Sequence, residues 1–211
     1  MPIDEVALRD AISKALELGK RRFDQGVELQ IVLKGVDPKS QEGRFREVVF
    51  LPHGIGRDVS ICLVAEGDML IAAKNIQGIR VFSRQDIQAL DKKGAKKLAE
   101  SCDWVLVRAD LMGVVGKILG PALGPRGKAL MPVQPNANIA EVVERYKRAV
   151  LLRARGQPQI GCRIGSERTS ISQLVENAKT VLSLVESKLG ADKIKTVYVK
   201  KTMSPSVALL R

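Results

Sequence analysis

The sequence predicts a mixed α/β protein in which a discontinuous two-layer α+β domain, residues 1–55 and 153–211, carries an inserted three-layer α/β domain, residues 56–152. Three observations predict this. Apolar residues alternate with polar ones near both ends of the chain, as in strands with one buried face. In the middle, short and uniformly apolar strand candidates alternate with helical segments, the pattern of a parallel sheet covered on both faces. Neither end segment is long enough to bury a core alone, whereas the two together reach an ordinary domain size.

The first element is a helix over 4–19. Asp4 can cap it, Leu8, Ile12 and Leu16 recur on one face, and Gly19 suits its end. The basic run Lys20-Arg21-Arg22 follows directly. In VELQIVLKG, Val27, Leu29, Ile31 and Leu33 alternate with Glu28, Gln30 and Lys34, which reads as a half-buried strand. A second strand runs through FREVVFL and stops at Pro52-His53-Gly54.

The inserted segment opens with a strand in VSICLVA. It continues with a helix near 68–76, a short strand at 80–82, helices capped by Ser83 and Asp91, and a buried strand in WVLVRA. Asn138, three residues before Glu141, makes a start resembling a capping box for the helix in NIAEVVERYKRAV. Beyond it, VLLRAR and PQIGCRI read as strands. A long helix follows Thr169-Ser170, with Leu174, Ala178, Val181, Val185 and Leu189 on one face, and KTVYVKK closes as a strand. The chain crosses between domains twice, near Gly54–Arg57 and near 150–155. Two parallel connections at one place allow a hinge, for which Gly54 and Gly56 are the candidates.

Lys and Arg number 35 against 23 Asp and Glu, a net charge of +12. Residues 153–211 hold 11 cations and 4 acids, hence +7 of that total. Such a field favours a polyanion by steering and counterion release. Aromatics are 3% of the chain, too few for a single-strand binder built on stacked rings, so a structured nucleic acid read by shape and backbone fits better. No apolar run approaches the roughly 18 residues of a membrane span, and the N-terminus lacks the pattern of a signal peptide. Cys62, Cys102 and Cys162 show no metal or redox spacing and read as buried thiols in a reducing cytoplasm.

The segment GVVGKILGPALGPRGKALMP, 113–132, invites comparison with a phosphate loop. A Walker loop needs G-x-x-x-x-G-K-[ST], but Ala122 stands where the first glycine belongs and Ala129 follows Lys128. Pro121 and Pro125 also remove N–H donors from the turn. Two readings stay open: a stiff connection between helices, or a basic loop whose Lys117, Arg126 and Lys128 touch phosphates. The competing function is a phosphate-handling α/β enzyme built on this loop. The single histidine, His53, reads as a hydrogen-bonded turn residue. With no nucleophile–base pair and no metal-ligand spacing, no catalytic residue, metal or cofactor is expected.

LPHG at 51–54, MGVVGKILGPALGPRGKALMP at 112–132 and KTMSPSV at 201–207 resemble the universal large-subunit ribosomal protein L-one family, in its archaeal form. The likeness runs from RRFDQGVEL at 21–29 to the C-terminus. It implies a Rossmann-like insert and binding to the stalk region of large-subunit rRNA. It also implies assistance in releasing deacylated tRNA from the exit site, and repression of translation through the protein's own mRNA. A cytoplasmic, ribosome-bound protein that is monomeric off the ribosome, without membrane contact, is expected.

The resemblance places the RNA surface on the discontinuous domain, at Arg22, Phe23, Gly26 and Glu28 and at the turn Thr202, Met203, Ser204 and Pro205. Arg46, in the neighbouring strand, is a further phosphate contact. Thr202 is expected to reach a 2′-OH, and Phe23 and Met203 to pack on ribose or base. Two positions depart from the family pattern. Gly26 stands where Ser or Thr is usual, which loses a hydroxyl contact, and Ser204 replaces the glycine of TMGP.

Overall fold

The computed structural model describes residues 4–37, 40, 42–154 and 156–209. Two compact units result: Met1–Arg57 with Arg148–Arg211, and Asp58–Lys147.

In the discontinuous unit, α1 (Glu5–Glu17) begins where the Asp4 carboxylate accepts from the Val6 N–H, and it buries Leu8, Ala11, Ile12 and Ala15. Two strands follow, β1 (Gly26–Leu33) and β2 (Arg46–Phe50). The inward residues of β1 are those that the alternation marks: Val27, Leu29, Ile31 and Leu33 are all buried. The chain returns to this unit through β7 (Ala149–Arg153), β8 (Gln159–Ser166), α7 (Ile171–Leu189), β9 (Ile194–Lys201) and the short β10 (Val207–Ala208). The antiparallel sheet has the order β10-β9-β1-β8, and α1 and α7 pack on one of its faces. Ser170 caps α7 through the Gln173 N–H, and Gly190 ends it at φ 92°.

One strand falls on the other side of the expected boundary. The pattern of the chain places residues 149–152 in the insert, but β7 pairs with β2 in an antiparallel ribbon, from Arg46 opposite Arg153 to Phe50 opposite Ala149. The return crossing therefore lies between Lys147 and Arg148. An apolar run cannot say which partner its backbone will choose.

The inserted unit runs β3 (Ile61–Val64), α2 (Asp68–Lys74), β4 (Ile79–Phe82), α3 (Arg84–Gln88), α4 (Lys92–Ser101), β5 (Trp104–Arg108), α5 (Met112–Leu123), β6 (Leu130–Val133) and α6 (Ile139–Lys147). Its sheet is parallel with order β4-β3-β5-β6. Cys62, Val64, Val105 and Val107 face a core built with Leu98, Val115 and Leu119 from α4 and α5. The alternate residues Ile61, Leu63 and Leu106 are equally buried, on the side where α6 packs against β3 and α2 against α6. Ser83 and Asp86 form a full capping box for α3, and the Asp91 carboxylate accepts from the Gly94 N–H at the start of α4.

The glycine-rich segment is not a loop. Residues 112–123 form α5 despite Pro121, because Val115, Leu119, Ala122 and Leu123 bury one apolar face against the sheet. Pro121 sits in the last turn, where its missing donor and its ring disturb few further bonds. Gly113, Gly116 and Gly120 lie within the helix, and only Gly124 and Gly127 fall in the short turn that leads into β6. That strand lies at the sheet edge, where Pro132 is tolerated.

A second correction concerns the cysteines. Cys62 on β3 and Cys102 at the end of α4 are joined by a disulfide, with Cα atoms 5.8 Å apart, rather than standing as two thiols. They are 40 residues apart in sequence and meet only because α4 packs on β3's face of the sheet. Cys162 is free, and burial pushes its thiol up to about 12, so it stays protonated.

Closing a loop of that length in the unfolded chain removes entropy worth about 3–4 kcal/mol at room temperature. Reduction, or Cys102→Ser, is expected to lower the stability of the 58–147 unit by about that amount while leaving the other unit's melting unchanged. Calorimetry with and without reductant checks this; two unchanged transitions would show that the bond contributes nothing.

Candidate nucleic-acid interface

Strand pairing brings the two ends of the chain together. In the β1–β9 ladder Val27 lies opposite Lys201 and Glu28 opposite Lys200. The segment leaving α1 and the turn leaving β9 therefore emerge at the same end of one sheet. Of the residues singled out by resemblance, Arg22, Phe23, Gly26, Glu28, Thr202, Met203 and Ser204 all lie here.

The turn is held by its own atoms. Ser204 N–H donates to Lys201 O (3.1 Å), and Lys201 N–H donates to Ser204 Oγ (3.0 Å). No described residue other than glycine has positive φ, so Ser204 costs no backbone strain, and its hydroxyl stabilises the turn it joins. Thr202 extends the ladder: its N–H donates to Gly26 O (3.0 Å), and its Oγ1 accepts from Gly26 N–H (3.2 Å). The Thr202 hydroxyl hydrogen lies within reach of Gly26 O (3.3 Å) and Glu28 Oε1 (3.2 Å). Glu28 is also 3.9 Å from the Lys200 ammonium.

Beneath the surface is a polar knot that sequence reasoning missed. Gln25 is fully buried. Its Nε2 donates to Gly19 O (2.9 Å), and its Oε1 accepts from Met203 N–H (3.0 Å), so one amide ties the two segments together. Its backbone N–H donates to Glu167 Oε1 (3.2 Å), and its carbonyl accepts from Glu167 N–H (3.0 Å). Lys201, 1% exposed, donates to Leu16 O at the end of α1 (2.9 Å) and meets Glu167 Oε2 at 3.3 Å. Desolvation pushes the Glu167 carboxyl up, but hydrogen bonds from Gln25 and Lys201 and the Lys201 charge outweigh it and hold the group below its ordinary value. Gly19 completes the knot. It sits at φ 59°, and a Cβ there would lie 2.6 Å from that of Ser204, so no side chain fits.

The outer layer is apolar and cationic. Phe23 and Met203 are 51% and 57% exposed, unusual for large apolar side chains and adjacent to the exposed Lys20, Arg21 and Arg22. Arg163 on β8 adds a cation that the sequence reading did not select. Its guanidinium donates to Ile55 O (2.9 Å), Gly165 O (3.0 Å) and Gly56 O (3.2 Å). Desolvation, then the nearby Arg57, lower its pKa from an ordinary value so high that the charge is kept. A Cβ on Gly26 would stand 3.0 Å from this guanidinium, so the missing side chain is what leaves Arg163 its place.

The other candidates lie elsewhere. Arg46 is exposed on the β2–β7 ribbon rather than on the sheet end. Gly54 and Gly56 belong to a segment fastened to its own unit. His53 N–H donates to Asn177 Oδ1 (3.0 Å), His53 Nε2 meets Glu176 at 2.6 Å, and Gly56 at φ 69° permits contact with Ser166. In the inserted unit Lys117 is exposed, but Arg126 pairs with Glu100 and donates to Ala122 O (3.0 Å). Lys128 donates to Ala99 O (2.8 Å), Glu100 O (3.2 Å) and Cys102 O (2.7 Å), capping the end of α4. These bonds and the helical form of 112–123 remove the phosphate-loop reading. Among the described residues there is no cluster of three or more metal-ligating side chains, and no helix long and apolar enough to cross a membrane.

Of the missed residues, only Lys201 carried a signal. Continuing the alternation Val197, Val199 places it on the buried face. Gln25, Glu167 and Arg163 are single polar residues whose partners are distant in sequence.

The model of the ribosomal protein L1p/L10e family matches residues 13–205. The chain is 53% identical over 204 residues to the large ribosomal subunit protein uL1 of Aeropyrum pernix, covering 95% of this chain and 94% of that one. It is 52% identical over 206 residues to the same protein of Staphylothermus marinus, covering 96% of each. With that of Archaeoglobus fulgidus the identity is 39% over 215 residues and the full length of both.

The knot sets a pH dependence. A carboxyl held lower in the folded state contributes stability that is present above its ordinary value, near 4.5, and is lost as pH falls through the folded value. Melting of the discontinuous unit is expected to weaken on acidification below about pH 4.5, with a shallower dependence in Glu167→Gln. Thermal melts from pH 7 to pH 3 check it; parallel curves for the two proteins would exclude the carboxylate.

Proposed function

The chain belongs to the ribosomal protein L1p/L10e family, and with that membership comes a non-catalytic role as an rRNA-binding constituent of the large ribosomal subunit; we propose that the end of the β10-β9-β1-β8 sheet is where it grips the stalk-region rRNA. One observation carries the assignment. Two segments from opposite ends of the chain are locked together by a buried amide, and they hold two large apolar side chains out in water beside a row of cations.

The chemistry follows from that arrangement. Lys20, Arg21, Arg22 and Arg163 attract phosphates and fix position along the backbone. Glu28 and Thr202 offer oxygens to 2′-hydroxyls and base edges, which separate RNA from DNA. Phe23 and Met203 cover ribose or an unstacked base, gaining the burial that they lack in the free protein. Because the supporting bonds are internal, the surface exists before RNA arrives, and little ordering entropy opposes binding.

Further readings extend the same function. The protein assists release of deacylated tRNA from the exit site and represses translation by binding its own mRNA where that message presents a similar RNA shape. It works in the cytoplasm on the ribosome. The inserted 58–147 unit is Rossmann-like, a reading supported by its parallel order β4-β3-β5-β6 with helices packed on the sheet. The clamping of residues 53–56 supports a pivot beyond Gly56 rather than at Gly54.

The test uses the residues with least structural work. Phe23→Ala and Met203→Ala are each expected to weaken binding of a stalk-region rRNA fragment by about 1–3 kcal/mol, the scale of a base–side-chain contact, without lowering Tm. A scrambled hairpin of equal length is the control, titrated over salt. Unchanged discrimination in both variants would remove the sheet end from the interface. Thr202→Val is a poorer probe, since it strips Gly26 N–H of its partner.

If the discontinuous unit is the binding domain, deleting residues 58–147 and joining Arg57 to Arg148 by a short flexible linker leaves a cooperative melt and the same preference. A non-cooperative melt would show that the two flanks need the insert.

A further inference from the structure

The inserted unit carries a cationic surface that the stability of its fold does not explain. Lys92, Lys93, Lys96 and Lys97 are exposed on α4, and Lys117 is exposed on the adjoining α5. Among the described residues none of the five has an ion-pair or hydrogen-bond partner, whereas Arg126 and Lys128 beside them are both engaged. The acids at either end of α4 are occupied as well: Asp91 caps the helix and Glu100 pairs with Arg126.

The arrangement works against the helix. Lys92 and Lys93 stand in the first turn, which holds no acid, at the positive end of the helix dipole. Lys92 with Lys96, and Lys93 with Lys97, are like-charge pairs four residues apart, which repel. Where a local rule is broken with no compensating contact, a functional cause is the first to test.

The pattern also selects the partner. Lys92, Lys96 and Lys117 border a groove of about 340 Å³ between α4 and α5, and Lys97 borders a hollow on the other flank of α4 with Arg80. The cations border both flanks of the helix rather than one groove. They are flexible point charges, with neither arginine forks nor aromatic rings among the five, so they suit backbone phosphates rather than base edges. We propose that the outer face of α4, with Lys117 of α5, is a second RNA site that binds duplex backbone without regard to sequence. The proposal rests on the protein's being an rRNA binder and adds a surface on the other unit.

The experiment compares the full-length protein with a variant carrying Lys→Gln at 92, 93, 96, 97 and 117. Binding to a scrambled RNA duplex is titrated over salt. With each neutralised phosphate contributing about 0.7–0.9 to the slope of log K against log salt, the five-site variant's slope is expected to be shallower by about 3.5–4.5. Its preference for the stalk-region fragment over the duplex should rise. Phe23→Ala should do the reverse, losing preference and keeping the duplex slope, so failure of one site is distinguishable from failure of the other. Lysine acetylation of the unmutated protein gives a second reading that needs no variant: the duplex should protect the five lysines. An unchanged slope, or lysines equally reactive with duplex bound, overturns the proposal. Equal protection by poly-glutamate at the same salt also overturns it, in favour of an acidic protein partner.

Discussion

The proposed interface depends on a buried cation. Lys201 lies on the inward face of β9, where the alternation allows only an apolar side chain or a fully partnered polar one. Its ammonium is satisfied by the Leu16 carbonyl at the end of α1 and by Glu167, and Glu167 in turn holds the backbone of Gln25 at both its N–H and its C=O. One charge thus fastens the end of a helix, the end of a strand and the link between β8 and α7. Only the Lys201 end of this pair is buried, and leaving such a donor without a partner costs about 1–3 kcal/mol. That is a large share of the roughly 5–15 kcal/mol that holds a domain together. Met203 is anchored to this knot through its backbone N–H on Gln25, and the segment that carries Phe23 is tied to it on either side, at Gly19 and Gln25.

What was legible in the sequence follows from the range of the physics involved. Period-two alternation is local, so β1 and the buried face of β9 could be read directly. Helix caps are local too, and Asp4, Ser83, Asp91 and Ser170 all act where they stand. The motifs around Phe23 and Thr202 could be placed on one surface only through family resemblance, since their meeting requires the β1–β9 pairing. Long-range choices left no local trace: the Cys62–Cys102 bond, the pairing of β7 with β2, and the turning of Lys128 onto three carbonyls. The glycine-rich segment misled for the opposite reason. Its local signals favour a loop, but burying one face of α5 in the sheet's core outweighs helix propensity.

The two basic surfaces differ in construction. At the sheet end the backbone and the buried polar side chains are tied to other parts of the protein, and Arg163 is fixed by three carbonyls. Such a surface can discriminate shapes, because a mismatched RNA cannot be accommodated by moving the groups that meet it. On α4 the lysines are free and the supporting helix is regular. Such a surface adapts to any phosphate track and adds affinity that salt removes. An rRNA binder with both can hold its site by shape and gather neighbouring duplex by charge, with each contribution on a separate folded unit.

Gly26 shows how a departure from the family pattern is absorbed. The hydroxyl expected at this position would have come with a Cβ lying 3.0 Å from the Arg163 guanidinium, closer than ordinary packing allows. Losing the side chain loses one potential hydrogen bond to RNA and lets a cation cross the strand at the same spot. Ser204 makes the complementary change, because its hydroxyl turns inward to Lys201 N–H and restores to the turn the definition that a glycine would have lacked. The pair exchanges a directional contact for a charge and a flexible turn residue for a braced one. At the proposed RNA interface the two changes keep the turn braced and present a cation in place of a hydroxyl.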